Sequence, residues 1–168
     1  CTVLTLGLYG RVASGAGLHF VLPWLPPAGL DFSLRLDGFA WLFTLLVSLM
    51  GTLVVIYARY YLSPQDPVPR FFSFLLAFMG SMLGIVLSGN LIQLVVFWEL
   101  TSFSSFMLIA YWYHRAEARQ GARMALTVTA TGGFCLLAGV IMLGTVAGSF
   151  DLDRVLAAGD TVRAHPWY

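Results

Sequence analysis

Long uncharged apolar runs separated by short polar segments dominate the hydrophobic pattern of this chain. Residues 38–58, between Asp37 and Arg59, form the first complete run and correspond to about 31 Å of helix at 1.5 Å rise per residue. This length matches the hydrocarbon thickness of a bilayer, which is roughly 30 Å. The run therefore predicts a transmembrane helix over residues 38–58.

A second apolar region, residues 71–114, carries Glu99 as its only charged residue. One continuous helix of that length would be about 66 Å long, twice the thickness of the bilayer core, so the chain must turn back within the region. The tripeptide SGN at 88–90 is its only turn-like sequence. We therefore expect one helix over 71–87 and the next over 91–113.

The ends of the chain add a partial helix, another complete span and a short surface helix. Residues 1–10 are too few to cross a bilayer and predict the end of a helix, whereas the uncharged residues 124–150 predict a full span. Residues 151–158 begin with Asp151, a favourable N-cap, and place apolar side chains on one face, which predicts an interfacial helix. The expected fold is an all-α polytopic transmembrane bundle.

The composition supports a membrane protein and excludes several other classes. Hydrophobic residues make up 59% of the chain and charged residues only 10%, against about a quarter charged in soluble domains. The chain contains no lysine and no basic cluster, so nucleic-acid binding is not expected. Two cysteines are too few for a disulfide framework.

Motifs for hydrolytic or redox chemistry are absent from the sequence. There is no Walker loop, HExxH helix, CxxC pair or dinucleotide fingerprint. We therefore expect no cofactor and no metal, and we expect a protein that is not an enzyme.

Glu99 is the residue most indicative of function. It occupies the ninth position of its predicted helix, about 12 to 14 Å from the start, which places it near the middle of the membrane. A charged side chain at that depth costs about 2.5–3.5 kcal/mol on insertion scales. We therefore expect Glu99 to take part in proton or ion translocation. The alternative is a structural acid that is kept neutral or that pairs with an arginine of a neighbouring helix.

Hydroxyl residues follow Glu99 along the same helix. Ser102 lies one turn beyond it on the same face, and Thr101 is close to it in sequence. Both are candidates to orient the carboxylate or to bind water. Small hydroxyl residues also let helices approach closely, so a packing role explains them equally well.

Two stripes of small residues predict helix contacts at four-residue spacing. The first stripe lies on the 71–87 helix and the second on the 124–150 helix. Their members are Gly80, Gly84 and Ser88 in the first, and Thr127, Thr131, Cys135 and Gly139 in the second.

The stretch FWELTSFSSFMLIAYWYHR at residues 97–115 resembles the first subunit, the MrpA type, of multisubunit Mrp-type monovalent cation/proton antiporters. Residues 22–43 resemble the approach to that subunit's third helix, and residues 78–102 resemble its fourth and fifth helices. The later sequences GGFCLLAG and FDLDRVL also fit. The resemblance covers nearly the whole chain.

By this resemblance the chain corresponds to helices two to six, the N-terminal part of an antiporter-like inverted-repeat fold shared with the proton-pumping subunits of respiratory NADH dehydrogenase. Glu99 matches the family's essential glutamate, which is thought to pair with a lysine of helix seven. The NADH dehydrogenase relatives carry an intramembrane aspartate that aligns with Gly133. This difference and the WELTS sequence favour the antiporter family.

The resemblance implies a multi-pass subunit of a secondary antiporter in a bacterial cell membrane. It would exchange a monovalent cation, with Na⁺ as the expected ion, for protons. Its expected partners are the other membrane subunits, lipid, protons and monovalent cations. The alternative is a proton-translocating membrane subunit of an NADH dehydrogenase-like or membrane hydrogenase redox complex, and a third possibility is a packing scaffold.

The arginine distribution predicts the orientation of the segment. Loops 59–70 and 114–123 lie on one side and carry five arginines between them, so we expect this side to be cytoplasmic. A Gln120→Cys variant without other cysteines should react with a membrane-impermeant thiol reagent in permeabilised cells and not in intact cells. Strong labelling of intact cells would reverse the orientation.

Overall fold

The fold consists mostly of helices, with four that are long and apolar enough to cross a membrane. A computed structural model of the protein describes residues 2–15, 17–25, 30–63 and 66–166. Its elements are α1 Thr2–Gly7, α2 Tyr9–Ala13, β1 Leu18–Leu25, β2 Leu30–Leu36, α3 Gly38–Tyr61, α4 Val68–Leu87, α5 Leu91–Ile109, α6 Ala116–Ala147, α7 Leu152–Ala157 and α8 Gly159–Arg163. A 3₁₀ turn, Ala110–Trp112, extends α5. The four long helices are α3 to α6, and the helical fold class predicted from the sequence is confirmed.

The helix ends differ from the edges of the uncharged runs because local chemistry sets them. The side chain of Asp37 caps α3 by accepting a hydrogen bond from the amide of Ala40 at 2.8 Å. Helix α4 begins at Val68, before the predicted 71, because a proline is tolerated in the first helical turn. Helix α6 has 32 residues and begins eight positions before the predicted 124. The prediction started where the charged residues end, whereas the helix includes those charged residues in its first turns.

An antiparallel hairpin precedes α3, and the all-α expectation did not include it. Strand β1 pairs with β2 in a register that places Leu18 opposite Leu36 and Leu22 opposite Phe32. The sequence of β2, LDFSLRL, alternates strictly between apolar and polar residues, which is the signal of a half-buried strand. Residues 26–29, which belong to the family-like stretch 22–43, lie outside the described residues.

The hairpin is attached to the helices by backbone and side-chain bonds. The carbonyl of Ser33 accepts a hydrogen bond from the amide of Gly89 at 3.0 Å, and the amide of Ser33 donates to Oε1 of Gln93 at 2.9 Å. The guanidinium of Arg35 lies 2.7 Å from the carboxylate of Asp153. Strand β2 is therefore connected to the α4–α5 turn, to α5 and to α7.

The α4–α5 turn and the α6–α7 connection are also bonded to each other. The amide of Leu91 donates to the carbonyl of Phe150, and the amide of Leu152 donates to the carbonyl of Gly89, both at 2.9 Å. These bonds satisfy backbone groups that helix ends leave unpaired. They also fix the end of α6 against the beginning of α5.

Small residues occupy the helix interfaces, and many large apolar side chains point outward. Ser48 is fully buried, whereas Phe39 is 72% exposed and Phe134 is 73% exposed. The buried small residues of α3 to α6 are Ala40, Ser48, Gly51, Ala58, Ser81, Gly84, Ser102, Ser104, Ala122, Gly133 and Gly144. This distribution is typical of helices in lipid, where close approach of backbones replaces burial of large side chains.

The structure assigns different roles to the two predicted stripes of small residues. On α4, Gly84 packs against the ring of Phe97, but Gly80 is exposed and has open space where a side chain would lie. All four α6 residues of the second stripe are exposed and meet no other helix among the described residues, so their helix contact stays a prediction. The packed face of α6 runs instead through Ala122, Gly133 and Gly144.

Removal of the α5 cap should weaken the whole turn region. The side chain of Asn90 is buried and accepts a hydrogen bond from the amide of Ile92 at 2.9 Å. Asn90→Ala should cost about 1 kcal/mol and lower the unfolding temperature of the purified membrane protein. Asn90→Ser retains a capping oxygen and should recover most of the loss. Equal unfolding temperatures for Asn90→Ala and the unmodified protein would contradict a stabilising cap.

Candidate functional site

Glu99 lies in the middle of α5, the helix that packs against both α4 and α6. It is the ninth residue of α5, about 12 Å along the axis from the first. Leu91, Val95 and Ser102 are buried on the same face of the helix, at spacings that bring them into line with Glu99. Glu99 itself is half-buried. Its side chain therefore belongs to the α5 face that meets α6.

The carboxylate of Glu99 packs against a glycine of α6. A Cβ atom added at Gly133 would overlap Oε1 of Glu99, and it would lie 2.8 Å from Cδ and 3.4 Å from Oε2. Oε1 is buried and has no hydrogen-bond partner among the described residues. The space that the carboxylate occupies exists because residue 133 has no side chain.

No described basic residue forms an ion pair with Glu99. The ion pairs of the described residues join His19 or Arg35 to Asp153, Arg35 to Asp37, and Arg163 to Asp160. The arginines of the long helices lie near the helix ends, and the chain has no lysine. A structural pairing of Glu99 with an arginine is therefore not seen in the described part of the chain.

The two hydroxyl residues near Glu99 donate their hydrogens to the backbone. Ser102 is 8% exposed and donates to the carbonyl of Trp98 at 3.3 Å. Thr101 donates to the carbonyl of Phe97 at 2.8 Å. Neither hydroxyl donates to Glu99 in this arrangement, but each oxygen keeps acceptor capacity for water or a cation.

The surroundings of Glu99 differ along the helix axis. Towards the start of α5, a core of apolar side chains centred on Leu91, Val95 and Val140 fills the α5–α6 interface. Towards the end of α5, the buried residue on the Glu99 face is Ser102. The carboxylate therefore has apolar side chains on one side and a hydroxyl on the other.

The described residues contain no group of three or more histidine, cysteine, aspartate or glutamate side chains that could hold a metal ion. A single intramembrane carboxylate can instead bind a proton, or contact a monovalent cation, when a second charge or water completes its environment. Proton or cation binding at Glu99 is the chemistry that the site offers.

Two family matches cover most of the chain. Residues 88–165, which contain Glu99 and Gly133, match the family described as "NADH:quinone oxidoreductase/Mrp antiporter, TM". Residues 24–72 match "NADH-Ubiquinone oxidoreductase (complex I), chain 5 N-terminus".

Curated relatives identify the branch of this family. The chain is 61% identical over 168 residues to a probable K(+)/H(+) antiporter subunit (type A/B) of Rhizobium meliloti, a match that covers 100% of this chain and 17% of the relative. It is 42% identical over 166 residues to a Na(+)/H(+) antiporter subunit (type A1) of Staphylococcus aureus, covering 99% of this chain and 21% of the relative. The chain belongs to the MrpA-type family of Mrp antiporter subunits. The family that the resemblance of the FWELTS region indicated is therefore confirmed.

A solved structure agrees with this assignment to the MrpA-type family. The fold matches a chain of the Mrp complex from Dietzia sp. with a TM-score of 0.85 and 30% sequence identity, covering 99% of this chain and 18% of that chain. The chain thus spans about a fifth of the length of the MrpA-type relatives that it matches. It represents a multi-pass membrane segment of that family.

Proposed function

We propose that this MrpA-type segment takes part in the exchange of a monovalent cation for protons, with Glu99 in the translocation path. The observation that carries the proposal is the carboxylate itself: it lies within the α5–α6 interface, with a buried oxygen that has no partner among the described residues. A buried carboxylate is costly inside a membrane unless its charge is paired with a cation or neutralised by a proton. The other long helices carry their charges near their ends.

Neutralisation of Glu99 provides the physical basis of exchange. A buried carboxylate is stabilised when it binds a proton or lies beside a cation, and it is destabilised when both leave. Binding and release of the proton would therefore be coupled to the arrival of a positive charge. The family resemblance suggests a lysine outside this segment as the partner, and we include that lysine in the proposal.

Ser102 and Thr101 have a supporting place in this proposal. Their hydrogens are used by backbone carbonyls, so they would act through their oxygen lone pairs. Ser102 is buried on the same face as Glu99 and could accept a hydrogen bond from water that delivers a proton. Thr101 is half-buried and would contribute less.

We propose that the transported cation is monovalent, and that proton flux should be measured with Na⁺ and with K⁺. Na⁺ remains the prediction from the family resemblance. The Staphylococcus aureus relative is named for Na⁺, and the Rhizobium meliloti relative, at 61% identity, is named for K⁺. We further propose that the segment works within a multisubunit Mrp complex of a bacterial cell membrane, since the matched Dietzia structure is of an Mrp complex.

Replacement of the carboxylate provides the first test. Glu99→Gln, in an Mrp complex whose MrpA-type subunit carries this sequence, should reduce cation-dependent proton flux in vesicles to background because an amide cannot bind and release a proton as a carboxylate does. Gln is nearly isosteric, so complex abundance on immunoblots should change little. Glu117→Gln is the matched control, since Glu117 is the only other glutamate and lies exposed at the start of α6. Normal flux in an assembled Glu99→Gln complex would refute the proposal.

Glu99→Asp tests whether exchange depends on the distance between the carboxylate and its partner charge. The aspartate keeps an acid but withdraws it by one carbon–carbon bond, about 1.5 Å. We expect intermediate flux, with both Na⁺ and K⁺ titrated to obtain the apparent affinity for each. If Glu99 were only structural, Glu99→Asp would disturb assembly and flux to the same extent.

The redox alternative makes a different prediction. An antiporter should release protons from energised inverted vesicles when Na⁺ or K⁺ is added, and NADH oxidation should not build a gradient through this complex. The control is the same vesicle preparation with Glu99→Gln. A gradient that is driven by NADH and depends on this subunit, with no cation-induced proton release, would favour the redox complex.

A further inference from the structure

We infer that Gly133 is a positioning residue that sets the orientation of the Glu99 carboxylate. The inference rests on the proposed function of Glu99, but it concerns a different residue on a different helix. It states that the missing side chain at 133 creates the space for Oε1, and that a methyl group there would displace the carboxylate.

The space beside Gly133 is taken by Glu99. The three nearest atoms to a Cβ built at residue 133 are Oε1, Cδ and Oε2 of Glu99. Neither the backbone of α5 nor another side chain is as close. Gly133 therefore makes room for one functional group, whereas a glycine that only allows two helices to approach would meet backbone or a bulky side chain.

The other glycines of α6 show how specific this arrangement is. Gly121, Gly132 and Gly139 have nothing within 4 Å of an added Cβ, and Gly144 meets the ring of Phe150. Glycine is a poor helix former compared with alanine, so each of these residues weakens α6. Among the glycines within α6, Gly133 is the one whose lack of a side chain is used by a carboxylate.

The two oxygens of Glu99 differ in their surroundings as a result. Oε1 is enclosed against Gly133 and is buried without a partner among the described residues, whereas Oε2 lies farther from Gly133, at 3.4 Å from an added Cβ. With Oε1 directed into the α5–α6 interface, we infer that Oε2 is the oxygen that meets a proton or cation from outside this segment. The orientation of the carboxylate thus determines which lone pairs meet the translocated charge.

A methyl group at 133 should move the carboxylate and leave the helices in place. The overlapping atoms are the far end of a flexible side chain, so Glu99 can rotate away without moving backbone. Misplacement of a reacting group by about 1 Å can cost up to about a hundredfold in rate. We therefore expect Gly133→Ala to assemble normally and to lower maximal exchange at least tenfold.

The experiment compares Gly133→Ala with Gly132→Ala in the complete Mrp complex. The two substitutions add the same methyl group one residue apart, but only the first meets Glu99. Flux is measured in vesicles, and the reaction of Glu99 with a membrane-permeant carbodiimide is followed by mass spectrometry. Gly132→Ala should match the unmodified complex in both assays, whereas Gly133→Ala should lose flux and change the labelling rate at least twofold.

A second substitution tests the steric origin of the effect. Gly133→Ala combined with Glu99→Asp should show higher flux than Gly133→Ala alone, because the shorter acid no longer overlaps the methyl group. If Gly133→Ala fails to assemble, recovery of the complex by Glu99→Asp supports the inference, and absence of recovery overturns it.

The outcomes separate this inference from the proposed function. Normal flux in Glu99→Gln refutes a translocating role for Glu99, and carbodiimide labelling then still reports whether Gly133 orients the side chain. Loss of flux in Glu99→Gln, with Gly133→Ala equal to Gly132→Ala in flux and labelling, overturns the positioning role and leaves the proposed function intact.

Discussion

The close approach of neighbouring helices through small residues is the constraint on which this membrane segment depends. Lipid tails are as apolar as leucine, so burial of large side chains between helices brings little gain, and contact between backbones brings more. The structure reflects this balance: Ser48, Gly84 and Gly133 are buried, and large side chains such as Phe39 and Phe134 face outward. The buried hydroxyls of Ser48 and Ser81 donate to carbonyls of their own helices, so they need no partner on a neighbouring helix.

The same constraint places the intramembrane acid of this MrpA-type segment. Glu99 fits within the α5–α6 interface because α6 presents a glycine at that level. A charged carboxylate in the membrane interior is costly unless it is paired or neutralised. The apolar core around Leu91 and Val140 fills this interface towards the start of α5. The proposed transport function and the packing of α5 on α6 therefore both depend on the contact between Gly133 and the Glu99 carboxylate.

The hairpin and the two inter-helix turns form a clamp at one end of the bundle. Backbone bonds join Gly89 to Ser33 and to Leu152, and Leu91 to Phe150. These bonds fix the start of α5 against the end of α6. Together with the fit of Glu99 beside Gly133, they set the level at which the two helices meet.

The sequence alone determined the long helices, the turn between α4 and α5, and the presence of an acid within a membrane span. These features follow from the length and charge of each apolar run compared with the thickness of a bilayer. The sequence also indicated the family, through the motif around Glu99. The alternating β2 sequence also contained the signal for the hairpin, although its attachment to Gly89 and Gln93 did not follow from it. Only the tertiary structure decided which face of α6 packs. Small residues occur on two faces of that helix, and a one-dimensional pattern cannot choose between them when lipid tolerates both. Helix α5 packs against the face of α6 that carries Gly133, and the face with Thr127 and Cys135 is exposed in this segment.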